Sequence, residues 1–390
     1  MSRLHILFIL SFAVLGACSC ESKHPTVLTD KLSEALKEYE QIVDIDNGLI
    51  HVTKNDKIGL INLDGEIIAS CEYDSIGKFH WGLAIAKQDT LFGFLNMEGK
   101  LVAKCQYDTV GECSEGLAIV GKDGLFGYID TEGNLVIPIK YAAALPFSEG
   151  LAVVADGTTY DFGCVNAHDS VIIPLKREGI GQFSEGLAAV EFAGEWGYMD
   201  HSGRLTIPYQ YDVAEPFAEG RAKVRISIDG TGLYGFIGHR GDTAIYCIYE
   251  EANEFKNGLA QVRNESGWGF VDRTGKELIP CEYDEVLPSG NGFCQLRKGS
   301  AWSTVDKKGK VITPNINTKK YTLVNQYGNY AIVRHKGMFG ICDTAGQFIL
   351  PCKYDTIVIG PTFIGMPNDL VIVRKGGQYG LADMKGNDTF

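Results

Sequence analysis

Residues 258–291 read GLAQVRNESGWGFVDRTGKELIPCEYDEVLPSGN. Residues 259–262 form a short strand-like run, and 264–267 carry turn chemistry. A second run covers 268–271, and Asp272-Arg273-Thr274-Gly275 makes the next turn. Glu277, Leu278 and Ile279 form a third run, stopped by Pro280; Tyr283-Asp284-Glu285-Val286 then reads as a fourth short strand. The Asp-x-x-Gly turn is informative. An Asp carboxylate accepts backbone N–H groups in a turn, and Gly supplies the positive φ that ends it. A turn this short joins only antiparallel strands, because parallel neighbours need a crossover of about a dozen residues. The stretch is therefore a β-meander.

The same unit begins again along the chain, at Gly48, Gly82, Gly116, Gly150, Gly186, Gly220, Gly258, Gly292 and Tyr330, with a fragment at Leu370. Such a period decides the architecture. The second run of each unit carries an aromatic followed by Gly, as at Phe92-Gly93, Phe126-Gly127, Trp196-Gly197 and Tyr234-Gly235, with Ile58 in place of the aromatic in the first unit; Ser303, after Trp302, is the one departure from Gly. Glycine inside a strand marks a bulge or a close backbone approach. Each aromatic is expected to lie over the neighbouring unit, with the Gly making room. Cys71, Cys105, Cys247, Cys281 and Cys352 share one slot with Ile139, Leu175 and Tyr209. A slot that accepts all four residue types is an apolar packing position, where a free thiol acts as a small hydrophobe. Disulfides and metal sites are not expected, and no CxxC pair occurs.

The order Gly-Leu-Ala, aromatic-Gly-aromatic, Asp-x-x-Gly, Ile-Pro, Tyr-Asp resembles the WG-repeat family of bacterial proteins, also called KWG repeats. The resemblance covers nearly everything after Gly48 and implies a β-rich repeat scaffold without a shared activity. The expected fold is all-β. Tandem antiparallel meanders form an elongated superhelical array over 48–390, about nine units plus the C-terminal fragment. A closed β-propeller is the alternative; propellers usually have about four to eight blades, which favours the open form. A short helix capped by Asp30, with Leu32, Leu36, Tyr39 and Val43 on one face, is expected ahead of the array.

Residues 1–17 read as a bacterial lipoprotein signal. Arg3 precedes an apolar run that is shorter than the roughly 20 residues a membrane span needs, and Leu15-Gly16-Ala17 leads into Cys18 as the lipidation site. An ordinary secretory peptide is the alternative. Residues 18–47 would hold the lipid anchor, a linker and the helix. Ser19 after Cys18 favours the outer membrane of the cell envelope. The formal net charge of −13, with no basic cluster apparent, argues against nucleic acid as a partner.

No nucleophile elbow, phosphate loop or paired-His motif is present, so neither a catalytic site nor a cofactor is expected. The histidines read as scattered surface residues in different places of their units. Glu115, Glu149, Glu185 and Glu219 each precede the Gly that opens a unit. They form either a solvated row or an acidic stripe able to hold calcium or a basic peptide. Insertions near 156–161, 226–231, 315–329 and 359–369 break the repeat, and loops that do so often carry binding specificity. Tyr160, Tyr321 and Tyr327 are the candidate partner contacts. The expected function is a non-enzymatic, envelope-anchored scaffold binding a protein, peptide or glycan. The alternatives are a carbohydrate-active or other hydrolase, or a purely structural spacer.

Overall fold

The computed structural model describes residues 28–390 apart from 229, 290–292, 307, 313, 328 and 359–369. The signal segment 1–17 and Cys18 lie outside the described residues. The described chain folds into ten antiparallel sheets, each a meander in sequence order. We number them as blades 1–10: 41–73, 75–107, 109–141, 143–177, 179–211, 213–249, 251–283, 285–312, 322–354 and 356–383. Nine have four strands and the tenth has three. The strand after each Tyr-Asp pair is not the last strand of its own unit. It is the first strand of the next blade, as Glu285–Ser289 pairs with Phe293–Lys298. The sheets form a closed β-propeller, not the open array.

Closure rests on how consecutive sheets pack face to face. A buried third-strand residue of one blade meets a small, fully buried second-strand residue of the next. The pairs run Leu60 with Ala84, Phe94 with Ala118, Tyr128 with Ala152, Cys164 with Ala188, Tyr198 with Ala222 and Phe236 with Ala260. This is the Ala of Gly-Leu-Ala, or of Gly-Arg-Ala at 220–222. Having only a methyl group, it lets neighbouring sheets approach closely. A Phe just ahead of the next blade's second strand adds an edge-on ring, with centroids 5.0 Å apart for Tyr128–Phe147, 5.1 Å for Tyr198–Phe217 and 4.8 Å for Phe236–Phe255. The same chemistry joins the two ends. Leu370, Ile372 and Leu381 of blade 10 share one core with Ile42, Ile45, Ile50, Val52 and Ile61 of blade 1. Among the described residues no strand is exchanged between these sheets, and the junction is held by side-chain burial, worth about 1.5–3 kcal/mol per large aliphatic residue.

The N-terminal helix, Asp30–Leu36, packs Leu32 and Leu36 into that closing core. Its cap is Thr29, whose hydroxyl accepts from Leu32 N, rather than Asp30. Tyr39 lies beyond the helix, and Val43 is on the first strand of blade 1, Gln41–Asp46. The tight turn chemistry around Glu40 ends the helical stretch early, because Glu40 N bonds Thr53 O of the hairpin that follows.

The glycine after each aromatic makes room, but for its own blade. At Gly93 a Cβ would sit 2.4 Å from Ala103 O and 2.7 Å from Cys105 N, both on the fourth strand of the same sheet. That strand bulges over the glycine, since Phe92 pairs with Tyr107 while Phe94 pairs with Ala103. The gap also lets the cysteine of the shared slot reach across, with Cys105 Sγ 3.6 Å from Ala86 O on the second strand. All nine cysteines of the described residues are free. Burial pushes Cys164 up to about 12 and Cys113 and Cys281 up to about 11, which leaves them poor nucleophiles near neutrality. The aromatics themselves do lie against the next blade: Phe126 packs on the core it shares with blade 4 and Trp196 on that with blade 6. Pro138, Pro174, Pro208, Pro280 and Pro351 all fall on fourth strands. There a missing N–H blunts the exposed sheet edge.

Candidate functional site

One seam breaks the packing rule. Among the described residues, buried apolar clusters span nine of the ten blade junctions, and none spans blades 8 and 9. The cause is local sequence. The third-strand position filled elsewhere by Tyr128, Tyr198 or Phe270 is Thr304, paired with Gln295 in the same register. The position of Phe147 and Phe217 is Gln326. Thr304 and Gln326 are both 6% exposed, and Gln295 Nε2 donates to Gln326 O at 2.7 Å. Two rings that would meet edge to edge are thus replaced by a hydroxyl and an amide.

The fourth strand of blade 8 is also cut to Val311–Ile312, where other blades have seven residues. After Pro314 the chain crosses to blade 9, where Asn315 N bonds Thr344 O. A cleft of about 540 Å³ results, lined by Leu287, Trp302, Val311, Leu323 and Val324 with the polar Gln295, Thr304 and Asn325. The five apolar residues are all exposed, from 41% at Leu287 to 56% at Val311. Arg297 lies over the Trp302 ring at 5.9 Å. From 297 to 320 the sequence carries seven Lys and Arg residues against the single carboxylate Asp306. The stretch is basic in sequence, but Arg297 pairs with Glu285 and Lys298 with Glu282, so part of that charge is already neutralised by carboxylates of blades 7 and 8.

The three candidate tyrosines are not brought together. Tyr160 is 68% exposed at the hairpin tip of blade 4. Tyr321 packs on Phe348 and His335 of blade 9, with centroids 4.9 and 5.3 Å away. Tyr327 ends the first strand of blade 9, Thr322–Tyr327. The insertion 359–369 lies outside the described residues. The 315–329 insertion does border the cleft, but through Leu323 and Val324. Ser303 was the sequence signal for this place: with little of a fourth strand pressing on it, the position can carry a side chain.

The glutamate row is a set of clamps between blades. Glu115 accepts from Glu149 N at 2.7 Å and Gly150 N at 2.9 Å, Glu185 from Gly220 N at 2.9 Å, and Glu219 from Asn257 N at 2.6 Å. Each Glu-Gly turn has positive φ at both residues, 54° at Glu149 and 80° at Gly150, the type I′ geometry that a hairpin's twist favours. His201 and His239 occupy the same turn position in consecutive blades rather than scattered ones. Their Nε2 atoms stand 3.1 Å from Glu149 and Glu185, and their rings stack on Phe183 and Phe217 at 4.4 and 4.3 Å. With its acceptors engaged, the row offers little to calcium. Among the described residues no group of three His, Cys, Asp or Glu is placed to hold a metal. Replacing Glu185 by Ala is expected to cost about 1 kcal/mol. Hydrogen exchange at Gly220 N should then be about fivefold faster; unchanged protection there would refute the clamp.

The WG containing repeat family matches residues 58–89, 92–126, 126–157, 162–195, 196–227, 234–267, 268–302 and 339–379. The chain belongs to the WG containing repeat family. Seven of the eight matched stretches of this WG repeat protein open at the aromatic-Gly pair and the first opens at Ile58-Gly59; the matches leave out 303–338, the segment that forms most of the blade 8–9 cleft. No curated protein matches the chain. Solved structures similar to it include a eukaryotic initiation factor (12% identity, 88% of this chain and 95% of that chain, TM-score 0.48). Hsv2p of Kluyveromyces lactis is similar at 10% identity over 59% and 92%, with a TM-score of 0.35. Apo AztD from Citrobacter koseri is similar at 11% over 79% and 95%, with a TM-score of 0.28. None of these likenesses bears on function.

Proposed function

We propose that this WG repeat propeller is a non-enzymatic recognition scaffold, tethered to the bacterial cell envelope through Cys18, that binds its partner in the blade 8–9 cleft. The observation that carries this reading is the unfilled seam. Among the described residues the other junctions each carry a buried apolar cluster, whereas this one has none and leaves Trp302, Leu323 and Val324 open to solvent beside Thr304 and Gln326. Contiguous exposed apolar surface rimmed by polar groups marks an interaction site. The lipoprotein-like leader supports the envelope address, and the lack of a catalytic motif supports recognition over turnover.

The seam can be closed by design. Thr304→Phe restores the residue that Phe270 supplies in blade 7, so it should leave stability unchanged or raise it by about 1 kcal/mol while abolishing partner capture from envelope extract. Leu323→Asp should abolish capture without closing the seam. Capture that survives both variants sinks the site, and hydrolysis of an envelope polymer by the purified ring sinks the non-enzymatic reading. Detergent-phase partitioning of the protein from cells, lost in Cys18→Ala, tests the tether.

A further inference from the structure

Blade 10 shows what an incomplete blade does with its outer edge. It has three strands, and residues 388–390 lie where the fourth would be. Thr389 N bonds Leu381 O at 3.0 Å, and Leu381 N bonds Thr389 Oγ1 at 3.0 Å. Asp388 pairs antiparallel with Ala382. At Gly380 the atoms nearest an added Cβ are Thr389 Oγ1 and the Phe390 ring, in place of the fourth-strand backbone met elsewhere. Lys375 Nζ stands 5.2 Å from the Phe390 ring centre, and the Asp388 carboxylate binds Lys353. The slot is thus filled by an extended segment that brings one carboxylate and one aromatic ring.

Blade 8 carries the same hairpin with the slot open. Arg297-Lys298-Gly299 repeats Arg374-Lys375-Gly376, and Trp302 stands where Tyr379 does, each ring beneath its arginine at 5.9 and 5.4 Å. On the outer side, Ala301–Asp306 is paired only at Thr304 with Ile312 and Val305 with Val311. Among the described residues, no strand lies along 301–303 there. An unpaired sheet edge is a template for another strand. The apolar cleft adjoins that edge, and the basic stretch from 297 to 320 surrounds it in sequence. Ser303 adds a constraint. Its side chain occupies the space where a bulged fourth strand would press, so an incoming segment pairs without the bulge.

Resting on the recognition reading above, we propose that blade 8 binds an extended peptide segment of a partner protein by β-strand addition along 301–303. Its alternate apolar or aromatic side chains enter the cleft beside Trp302 and Leu323, and flanking Asp or Glu residues face the local lysines. Main-chain bonds supply the affinity, and the alternating pockets supply the selectivity.

A random peptide library displayed against the full ring, with Thr304→Phe as the counter-target, tests this. Selected peptides should alternate apolar with other residues and carry acidic flanks. Methylating alternate main-chain nitrogens of a selected peptide should weaken binding by more than about tenfold, the loss of roughly one or two hydrogen bonds. Trp302→Ala should weaken it comparably, with circular dichroism confirming an intact fold. Binding that ignores N-methylation overturns strand addition. If no peptide is selected but chitohexaose or cellohexaose binds in a Trp302-dependent way, the peptide inference fails and the recognition reading stands. If nothing binds and capture from extract survives Trp302→Asp, both fail. Concentration-dependent dimers of the ring alone, abolished by Thr304→Phe, would replace the partner with a second copy.

Discussion

Gly93→Ala is expected to destabilise the ring by about 3 kcal/mol, more than ordinary overpacking on average, because the obstacle is backbone. The added methyl would lie 2.4 Å from Ala103 O and 2.7 Å from Lys104 C and Cys105 N. No flexible side-chain end is available to swing away. Relief requires lifting the fourth strand of blade 2, Leu101–Tyr107, off the third, Leu91–Asn96. That motion breaks the Cys105 Sγ contact with Ala86 O and exposes Phe94, which is fully buried at the seam with blade 3. Ser303→Gly is the matched control. The strand that would press there is missing, so the change should cost only the roughly 0.5–1 kcal/mol of added chain entropy. Thermal unfolding checks both, with hydrogen exchange on blade 2 locating the damage. A Gly93→Ala protein within 1 kcal/mol of wild type would show that the bulged strand does not hold the glycine fixed.

That contrast shows what the sequence could and could not reveal. The meander was legible because the Asp-x-x-Gly turn is chemically specific, with Asp272 Oδ1 accepting from Thr274 N at 2.8 Å and Lys276 N at 3.1 Å. The register of the blades was not legible from periodicity. A repeat can be cut at any phase, and the decision depends on which strand hydrogen-bonds to which. Closure escaped because its determinants, Ile50, Ile372 and Leu381, look like any other core residues and meet only in three dimensions. Ser303 and the 315–329 insertion fall at the blade 8–9 junction, whereas Tyr160 lies on blade 4 and Tyr321 packs on Phe348 and His335 of blade 9. An exposed aromatic is a contact candidate only where the surrounding packing is open. The departures that opened it, Thr304 for an aromatic and Gln326 for Phe, lie 22 positions apart in separate repeats, and only the seam unites them.

Asp388→Ala should release the C-terminal segment that completes blade 10 and loosen its junction with blade 9. The Asp388 side chain is 7% exposed, with Oδ2 2.7 Å from Lys353 Nζ and 2.6 Å from the Tyr354 hydroxyl. Burial alone pushes its pKa up, but the bonds from Lys353 and Tyr354 outweigh that, and the net direction is below the ordinary aspartate value of 3.8. Removing the carboxylate leaves the hydroxyl of fully buried Tyr354 without its acceptor and frees the tail that covers Leu381. The expected cost is about 3 kcal/mol, at the lower end for breaking a buried pair because Lys353 is 39% exposed and can be rehydrated. A depressed carboxylate pKa means the unfolded state binds the proton more readily. The contribution is therefore fully present above pH 4 or so and is lost as pH falls through the folded value. Wild type should lose protection at Leu381 N in that acid range, while Asp388→Ala should already lack it at pH 7 and show a flatter acid profile. Asp388→Asn, which can still accept from Tyr354 but carries no charge, should fall between them. If Leu381 exchanges at the same rate in all three proteins at pH 7, the C-terminal residues do not serve as the missing strand of blade 10. The inference drawn from that blade for the open edge of blade 8 would then lose its precedent.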